Sequence, residues 1–431
     1  MKHPNAGHKP LRKAPVTAQP LPRSPSLSLI AGKTPEEVSA LFRRHWNAGD
    51  FAQGRAIAEE FIRAHPQVAA AWSDAAACSV KLLDWDKAIE YGQQAYQRAP
   101  DLLAASDALS HAYYHKGDFA QVRHFGHIAL VKRDERFGHT FFCDWPVAAP
   151  PPFAEDRTRN LMAFSLFGEN PKYCESGILN VLEQPALYPD WSCRFYVDET
   201  VPAQVLTRLT ALGAQVIHVD EALKQWPAPM WRFAACDDPN IDRVIFRDAD
   251  SVISAREAGA VGEWIASGQA FHMMRDYGSH TELLLAGLWG VAREALPPMR
   301  EMVKDYLKTP PASMHFADQY FLREYVWPYA RSHILQHDSL FGFMNPRPFP
   351  EGGHRTDFHV GCLDAGASFD VAVNRPDGAR AVWALFDRSG AQEREVCRYT
   401  ATVRAGKISV SISTRYARRI NRDFVVRVMK P

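Results

Sequence analysis

The stretch Val244-Ile245-Phe246-Arg247-Asp248-Ala249-Asp250 joins an apolar run to two carboxylates one residue apart. A buried strand that stops on Asp-x-Asp delivers hard oxygen ligands to the carboxyl edge of an α/β sheet, where ligands of such folds bind. A divalent cation held there can bridge to a diphosphate. Two acids can also simply cap a strand and open the next turn, so the surroundings have to decide.

Toward the N-terminus, strand-like runs alternate with amphipathic segments: Leu161 to Phe167, a helix near Glu175 to Leu182, Cys193 to Val197, a helix near Ala203 to Leu212, Gln215 to Val219, and a helix near Met230 to Ala235. Beyond the acids, a helix around Glu257 to Ala266 leads to a strand at Ala270 to Met274. This alternation predicts βαβ units in an α/β, Rossmann-like, open and mainly parallel sheet whose fourth strand ends on the Asp pair.

Farther out the texture changes on both sides. Asp50-Phe51, Asp84-Trp85 and Asp118-Phe119 recur every 34 residues, as do Pro66 and Pro100. Small residues stand where the two helices of such a unit must touch (Ala76 and Ser110, Gly54 and Ala88, Ala95 and Ala129), and Gly49 and Gly117 fall at turns. Three helix pairs over residues 34–136 therefore resemble tetratricopeptide (TPR) repeats, an all-α array that serves as a docking surface or as a brace. Residues 1–33, rich in Pro, Lys, Arg and Ser, read as a disordered tail, and residues 137–155, with four prolines between Pro146 and Phe153, as a linker. The α/β domain then covers residues 156–362. Alternating runs at Ser368 to Val373, Ala381 to Phe386, Val396 to Val403, Lys407 to Ser413 and Phe424 to Met429 predict a small antiparallel β module over residues 363–431. Arg415, Arg418, Arg419 and Arg422 give that module a basic patch.

The 431 residues are 46% hydrophobic and 23% charged, enough for several domains with cores of their own. Fifty basic against forty-nine acidic side chains leave a net charge of +1, which offers no electrostatic footprint for nucleic acid or an anionic membrane. The seven cysteines are scattered and form no Cys-x-x-Cys pair, as expected of reduced thiols in a cytoplasmic protein and not of a disulfide or zinc framework. The longest apolar stretch of the basic N-terminus, near Leu27 to Ala31, is too short for a secretion signal, and no later run suits an integral membrane segment.

Several motifs stand in one order: Met230-Trp231-Arg232-Phe233, Asp237-Asp238-Pro239, Asp242-Arg243, Arg247 to Asp250, Phe271-His272-Met273-Met274-Arg275-Asp276 and Leu285-Ala286-Gly287-Leu288-Trp289-Gly290. Together they resemble bacterial glycosyltransferases of the GT-A fold and, more distantly, the glycogenin-like family that uses UDP-sugars, over about Asp156 to Gly361. The resemblance implies transfer of a sugar from a nucleotide-diphosphate sugar to a hydroxyl of a glycan, protein or lipid-linked acceptor, with the TPR array as docking scaffold and possible binding face for a protein partner.

The same resemblance implies roles for particular residues. Asp248 and Asp250 would hold Mn2+ or Mg2+ against the donor diphosphate. His359, in His359-Val360-Gly361, would be a third ligand, although the Lys-Pro-Trp that usually follows is missing and His337-Asp338 competes for the part. Asp318-Gln319 matches an Asp-Gln element near the transferred sugar and the acceptor, and Asp318 also suits a helix N-cap or a first-turn helix acid. Asp276 falls where related folds touch donor sugar hydroxyls, or is a strand-end turn residue. Arg232 and Arg247 suit phosphate oxygens, which guanidinium groups grip in bidentate fashion, or form ion pairs with Asp237, Asp238 or Asp242. Trp231, Trp289 and Tyr277 can stack on a ring or fill the core. The loop from Phe341 to His354 reads as an acceptor-side lid or as a surface connection.

Three other readings compete. One is a repeat adaptor carrying an inactive GT-A-like domain. A sugar-phosphate nucleotidyltransferase would show a glycine-rich loop after the first strand, whereas Phe167-Gly168-Glu169-Asn170 has a single glycine. A protein O-GlcNAc transferase also joins repeats to a transferase, but that family has a metal-independent, two-lobed fold without Asp-x-Asp.

Overall fold

The computed structural model describes residues 28–311, 313–350 and 358–429. Most of the expected tail, and the end of the loop from Phe341 to His354, lie outside the described residues.

Six helices come first: α1 (Pro35–Asn47), α2 (Phe51–Ala64), α3 (Ala69–Lys81), α4 (Trp85–Arg98), α5 (Leu103–Lys116) and α6 (Phe119–Phe137). The recurring acids are the N-caps of α2, α4 and α6, where Asp50, Asp84 and Asp118 accept hydrogen bonds from the N–H groups of Gln53, Lys87 and Gln121. Each such cap stabilises its helix by about 1 kcal/mol. The recurring small residues mark close helix approach: a Cβ at Gly54 would press on Cys78 Sγ, and one at Gly92 would overlap Leu109. The turn after α5 needs Gly117, whose φ is +75°.

The α/β domain contains β1 (Asn160–Leu166), α7 (Pro171–Leu187), β2 (Ser192–Val197), α8 (Ala203–Ala211), β3 (Gln215–His218), β4 (Arg243–Phe246), α9 (Ala255–Ser267), β5 (Phe271–Arg275), β6 (Trp289–Ala292), α10 (Met299–Tyr306), α11 (Ala317–Phe321) and β7 (Ile334–Asp338). These strands form one seven-stranded sheet in the order β3-β2-β1-β4-β6-β5-β7. The sheet is mainly parallel as expected, with one reversal that the alternation did not announce: β6 runs antiparallel to both β4 and β5. The connection from Asp276 to Leu288 contains no helix, and without a crossover a strand returns antiparallel. A second departure is the segment Ala228–Asp237, a 3-10 helix where an α-helix is expected. Met230 to Ala235 are all buried, so the segment has no polar face and follows the shape of its pocket instead of a 3.6-residue period.

Strand β1 is buried along its whole length, with side chains that alternate between two cores. Leu161 and Ala163 join Val244 and Phe246 on one face, and Met162 and Phe164 join Ile245 on the other. Coverage on both faces explains why these strands read as continuous apolar runs. The first core also takes Val122 and Leu130 from α6, so the last repeat is packed into the sheet domain as a brace. The intervening proline-rich segment is tied down as well. Tyr329 Oη donates to the Cys143 carbonyl at 2.7 Å and accepts from its N–H at 3.0 Å, and Arg243 reaches the Pro151 carbonyl at 2.6 Å.

The second core continues into the C-terminal module, where β8 (Gly366–Ala372) pairs with β11 (Lys407–Ser413), and β9 (Arg380–Asp387) pairs with β10 (Arg394–Thr402) and β12 (Phe424–Val428), all antiparallel. The module is fastened to α7 by polar contacts. Tyr399 donates its hydroxyl hydrogen to Glu175 Oε1 at 2.6 Å, while Arg208 grips the same carboxylate at 2.7 and 3.0 Å. All seven cysteines are free. Among the described residues no helix is long and apolar enough to cross a membrane.

Candidate functional site

Successive strands β1, β2 and β3 run to one side of the sheet, and β4 lies on the other side of β1. The direction of winding reverses between β1 and β4, the place where a crevice opens at the carboxyl ends of an α/β sheet. The two strands are parallel, with Ala163 opposite Phe246, so the residues that follow them emerge side by side. They bound a cavity of about 600 Å3, lined by Ser165 to Gly168 at the end of β1, by Asp248 to Asp250 after β4, and by Arg232, Leu285 to Leu288, Asp318 and Gln319.

Arg232 is the hinge of this wall. Its buried guanidinium lies 2.6 Å from Asp248 Oδ1, 2.8 Å from the Arg247 carbonyl and 3.1 Å from Asp318 Oδ2. Burial works against its charge, but the two carboxylates outweigh burial and hold its pKa above the ordinary arginine value. Asp318 is pushed above the usual carboxylate range by burial, with Arg232 pulling the other way. Gln319 secures the adjoining loop, since its side-chain amide donates to the Leu284 carbonyl and accepts from the Ala286 N–H at 3.2 Å. The next residue, Gly287, leaves room for Asp248: a Cβ there would overlap the Asp248 carboxylate. On the far side Lys172, in the first turn of α7, lies 2.8 Å from Asp250 Oδ2. Burial lowers the Lys172 pKa and Asp250 more than compensates, leaving it raised.

The acid pair fits a divalent cation in one specific sense. Asp248 is half exposed and Asp250 about a third exposed; each has one oxygen on a protein cation, and among the described residues neither second oxygen has a protein partner. Two carboxylates with the remaining positions left to phosphate oxygens and water is a coordination that Mg2+ and similar ions accept. Among the described residues no three His, Cys, Asp or Glu side chains converge on one ion position.

Several expected site residues lie elsewhere. His359 does not line the cavity; its ring stacks on Tyr277 with centroids 4.1 Å apart and its Nδ1 donates to the Val360 carbonyl at 2.9 Å. Its rival His337 is buried against His272 Nε2 at 2.9 Å, and Asp338 accepts from the N–H groups of Leu340, Phe341 and Gly342. Asp276 also stands behind the wall, filled by Arg256 at 3.0 and 3.1 Å, Ser339 Oγ at 2.6 Å and the Val360 N–H at 3.2 Å. Arg247 points away from the cavity into a buried pair with Glu257 at 2.9 Å. The expected acids have other partners: Asp242 binds Arg159, Asp238 binds Arg194, and Asp237 accepts from the first N–H groups of α10. Trp231 and Trp289 are core residues, and Tyr277 meets the repeat array.

Reading the sequence missed Lys172, His280 and the spacing role of Gly287. The Leu285 to Gly290 motif carried a signal for Gly287. Lys172 and His280 had none, because each reaches the site from a helix start or loop distant in the chain.

The fold and cavity define a class: a helical-repeat array packed into a mixed-sheet α/β domain that carries two acids at its switch point. No protein-family model matches the chain, and no curated protein matches it. Among solved structures it is similar to the TPR2B domain of yeast Sti1 in its pHsp70 complex (22% identity over 23% of this chain and 80% of that one, TM-score 0.23). It is also similar to the TPR2AB domain of yeast Sti1 in its pHSP90 complex (22% identity over 23% of this chain and 39% of that one, TM-score 0.22). A third likeness is to a point mutant of Thermobaculum terrenum O-GlcNAc transferase (12% identity over 49% of this chain and 45% of that one, TM-score 0.29). TM-scores this low leave the functional reading to rest on the site itself.

Proposed function

We propose that this protein is a divalent-cation-dependent glycosyltransferase that moves a sugar from a nucleotide-diphosphate sugar to a hydroxyl acceptor. One observation carries the reading: Asp248 and Asp250, one residue apart at the carboxyl end of β4, both line a cavity of about 600 Å3 at the switch point of the sheet. That volume lies in the range of small-ligand sites. A bound Mn2+ or Mg2+ would supply charge neutralisation for the departing nucleoside diphosphate. Arg232 fixes the direction of Asp248, Gly287 leaves room for its carboxylate, and Gln319 shapes the loop beside it. Lys172 can move from Asp250 to a phosphate oxygen, since a lysine ammonium binds phosphate as a mobile point charge. Asp318, buried and paired with Arg232, then faces the part of the ligand beyond the diphosphate. The TPR array would offer its free repeats to a protein partner.

A screen of UDP- and GDP-sugars for Mn2+-dependent thermal stabilisation and for donor hydrolysis tests the reading, with Asp250→Ala beside wild type. One nucleotide sugar should stabilise the wild type, and EDTA or Asp250→Ala should abolish the effect. Equal binding and turnover by the variant would overturn the metal assignment. The salt bridges of Asp248 to Arg232 and of Asp250 to Lys172 favour a second reading, a repeat adaptor with an inactive transferase-like domain. Nucleotide binding without hydrolysis or transfer by the wild type would select it.

A further inference from the structure

The cavity has one more polar wall residue, His280, in the loop between β5 and β6. The Asp276 N–H donates to its Nδ1 at 3.0 Å. An imidazole nitrogen that accepts carries the lone pair, so the hydrogen of the neutral ring is on Nε2. Among the described residues Nε2 has no hydrogen-bond partner, and the ring borders the same cavity as Asp248, Asp250 and Asp318. Burial, with smaller contributions from His359, Arg275 and His111, holds its pKa well below the ordinary histidine range. The ring is therefore an uncharged donor. A neutral N–H suits a neutral hydroxyl, whereas phosphate oxygens gain more from charged donors such as Lys172.

The loop that carries His280 is held by the repeat array from outside. Ser110 Oγ donates to the Gly278 carbonyl at 2.7 Å in a buried contact. The Tyr277 hydroxyl lies 3.2 Å from His111 Nε2 and 2.6 Å from His115 Nε2. Thr281 Oγ1 donates to Asp107 Oδ1 at 2.7 Å, and Arg133 ties Asp107 to Glu282 at 2.7 and 3.3 Å. The fit is close enough that a Cβ at Gly278 would overlap Tyr114. Residues on both sides of His280 are thus fixed by α5 and α6.

We infer that His280 is a positioning residue whose Nε2–H donates to a hydroxyl of the bound sugar, and that the third helix pair of the repeat array holds it in that pose. The inference rests on the transferase reading above and gives the array a part in substrate recognition beyond any partner it docks.

The test uses the full chain with Mn2+ and four donors, UDP-glucose, UDP-galactose, UDP-N-acetylglucosamine and GDP-mannose, each beside its own nucleoside diphosphate. Affinities are read by calorimetry and donor hydrolysis is resolved into kcat and KM. His280→Leu should weaken the preferred nucleotide sugar roughly five- to tenfold, as loss of one neutral hydrogen bond does, while the matching nucleoside diphosphate stays within about twofold. His280→Gln, with an amide donor in the same region, should recover most of the loss. Ser110→Ala should show the same sugar-selective weakening in milder form. Unchanged sugar binding by His280→Leu, or equal weakening of sugar and diphosphate, overturns the role of His280. Wild-type sugar affinity in Ser110→Ala overturns the role of the array. A wild type that binds none of the donors sinks the transferase reading, and this inference with it.

Discussion

Arg232 and Asp318 form a buried ion pair, Nη2 to Oδ2 3.1 Å, with both side chains at most one-tenth exposed. The other arm of the guanidinium holds the half-exposed Asp248, so one cation serves two carboxylates that both line the cavity, one buried and one half exposed. Replacing it leaves the Asp318 carboxylate buried without its counter-charge, while the Gln319 N–H still donates to Oδ1 at 2.8 Å. We expect Arg232→Met to cost about 3 kcal/mol of stability in urea denaturation. Adding Asp318→Asn should restore at least half, because the orphaned charge is then gone. An unchanged midpoint in the single variant would show that the pair does not hold the wall.

Gly287 gives a cleaner probe of the acid pair. An alanine methyl at this position overlaps the Asp248 carboxylate and has to displace it. Gly287→Ala should lose Mn2+-dependent stabilisation while the fold loses no more than about 3 kcal/mol. Thermal unfolding with and without Mn2+ measures both effects. Full retention of the Mn2+ response would mean that the position of Asp248 is immaterial.

The junction between array and sheet domain is as tightly packed as a core. A Cβ at Gly126 on α6 would overlap the ring of the fully buried Phe341. Gly126→Val is therefore expected to lower stability by about 1–3 kcal/mol and to expose the junction to limited proteolysis. Gly54→Ala, which meets Cys78 Sγ and the Phe42 ring inside the first repeats, should leave the junction protected. Equal proteolysis of the two variants would contradict the brace.

Acid should loosen the same junction. Burial is the first cause that lowers the pKa values of His111, to about 4, and of His115, His280 and His359. A histidine with a depressed folded-state value contributes stability that is complete above the unfolded value near 6.5 and is lost as pH falls through the folded value. Buried Glu282, in the same loop, is raised by burial and works in the opposite sense, losing its contribution as pH rises. Among the described residues six histidines are lowered by burial, these four with His272 and His337, against four raised acids, Asp74, Glu257, Glu282 and Asp318, so the urea midpoint should fall between pH 7 and pH 5, and His111→Phe should flatten that fall. A midpoint that rises on acidification would refute this account.

Much of the architecture is written in short-range chemistry. The 34-residue recurrence of Asp50, Asp84 and Asp118 is visible because each acid caps its own helix three residues on, a local interaction that repeats whatever the array packs against. Val244 to Phe246 reads as a central strand because both of its faces are covered, and such burial turns alternation into a plain apolar run. By contrast, β6 carried no sign of its reversed direction, since Trp289 to Ala292 would be equally apolar in either orientation.

By itself, then, the sequence determined the repeats, the strand ending on Asp248 and Asp250, and the existence of an acidic edge, all consequences of neighbours along the chain. Only the tertiary structure decided which side chains meet that edge. It brought Arg232, Asp318 and His280 to the cavity, set Lys172 against Asp250, and turned His359, Asp276 and Arg247 into packing elsewhere. The physical reason is that an ion pair or a hydrogen bond forms between groups within about 3 Å, and such proximity comes from loops and helix ends far apart in sequence whose paths are set by the packing of the whole sheet.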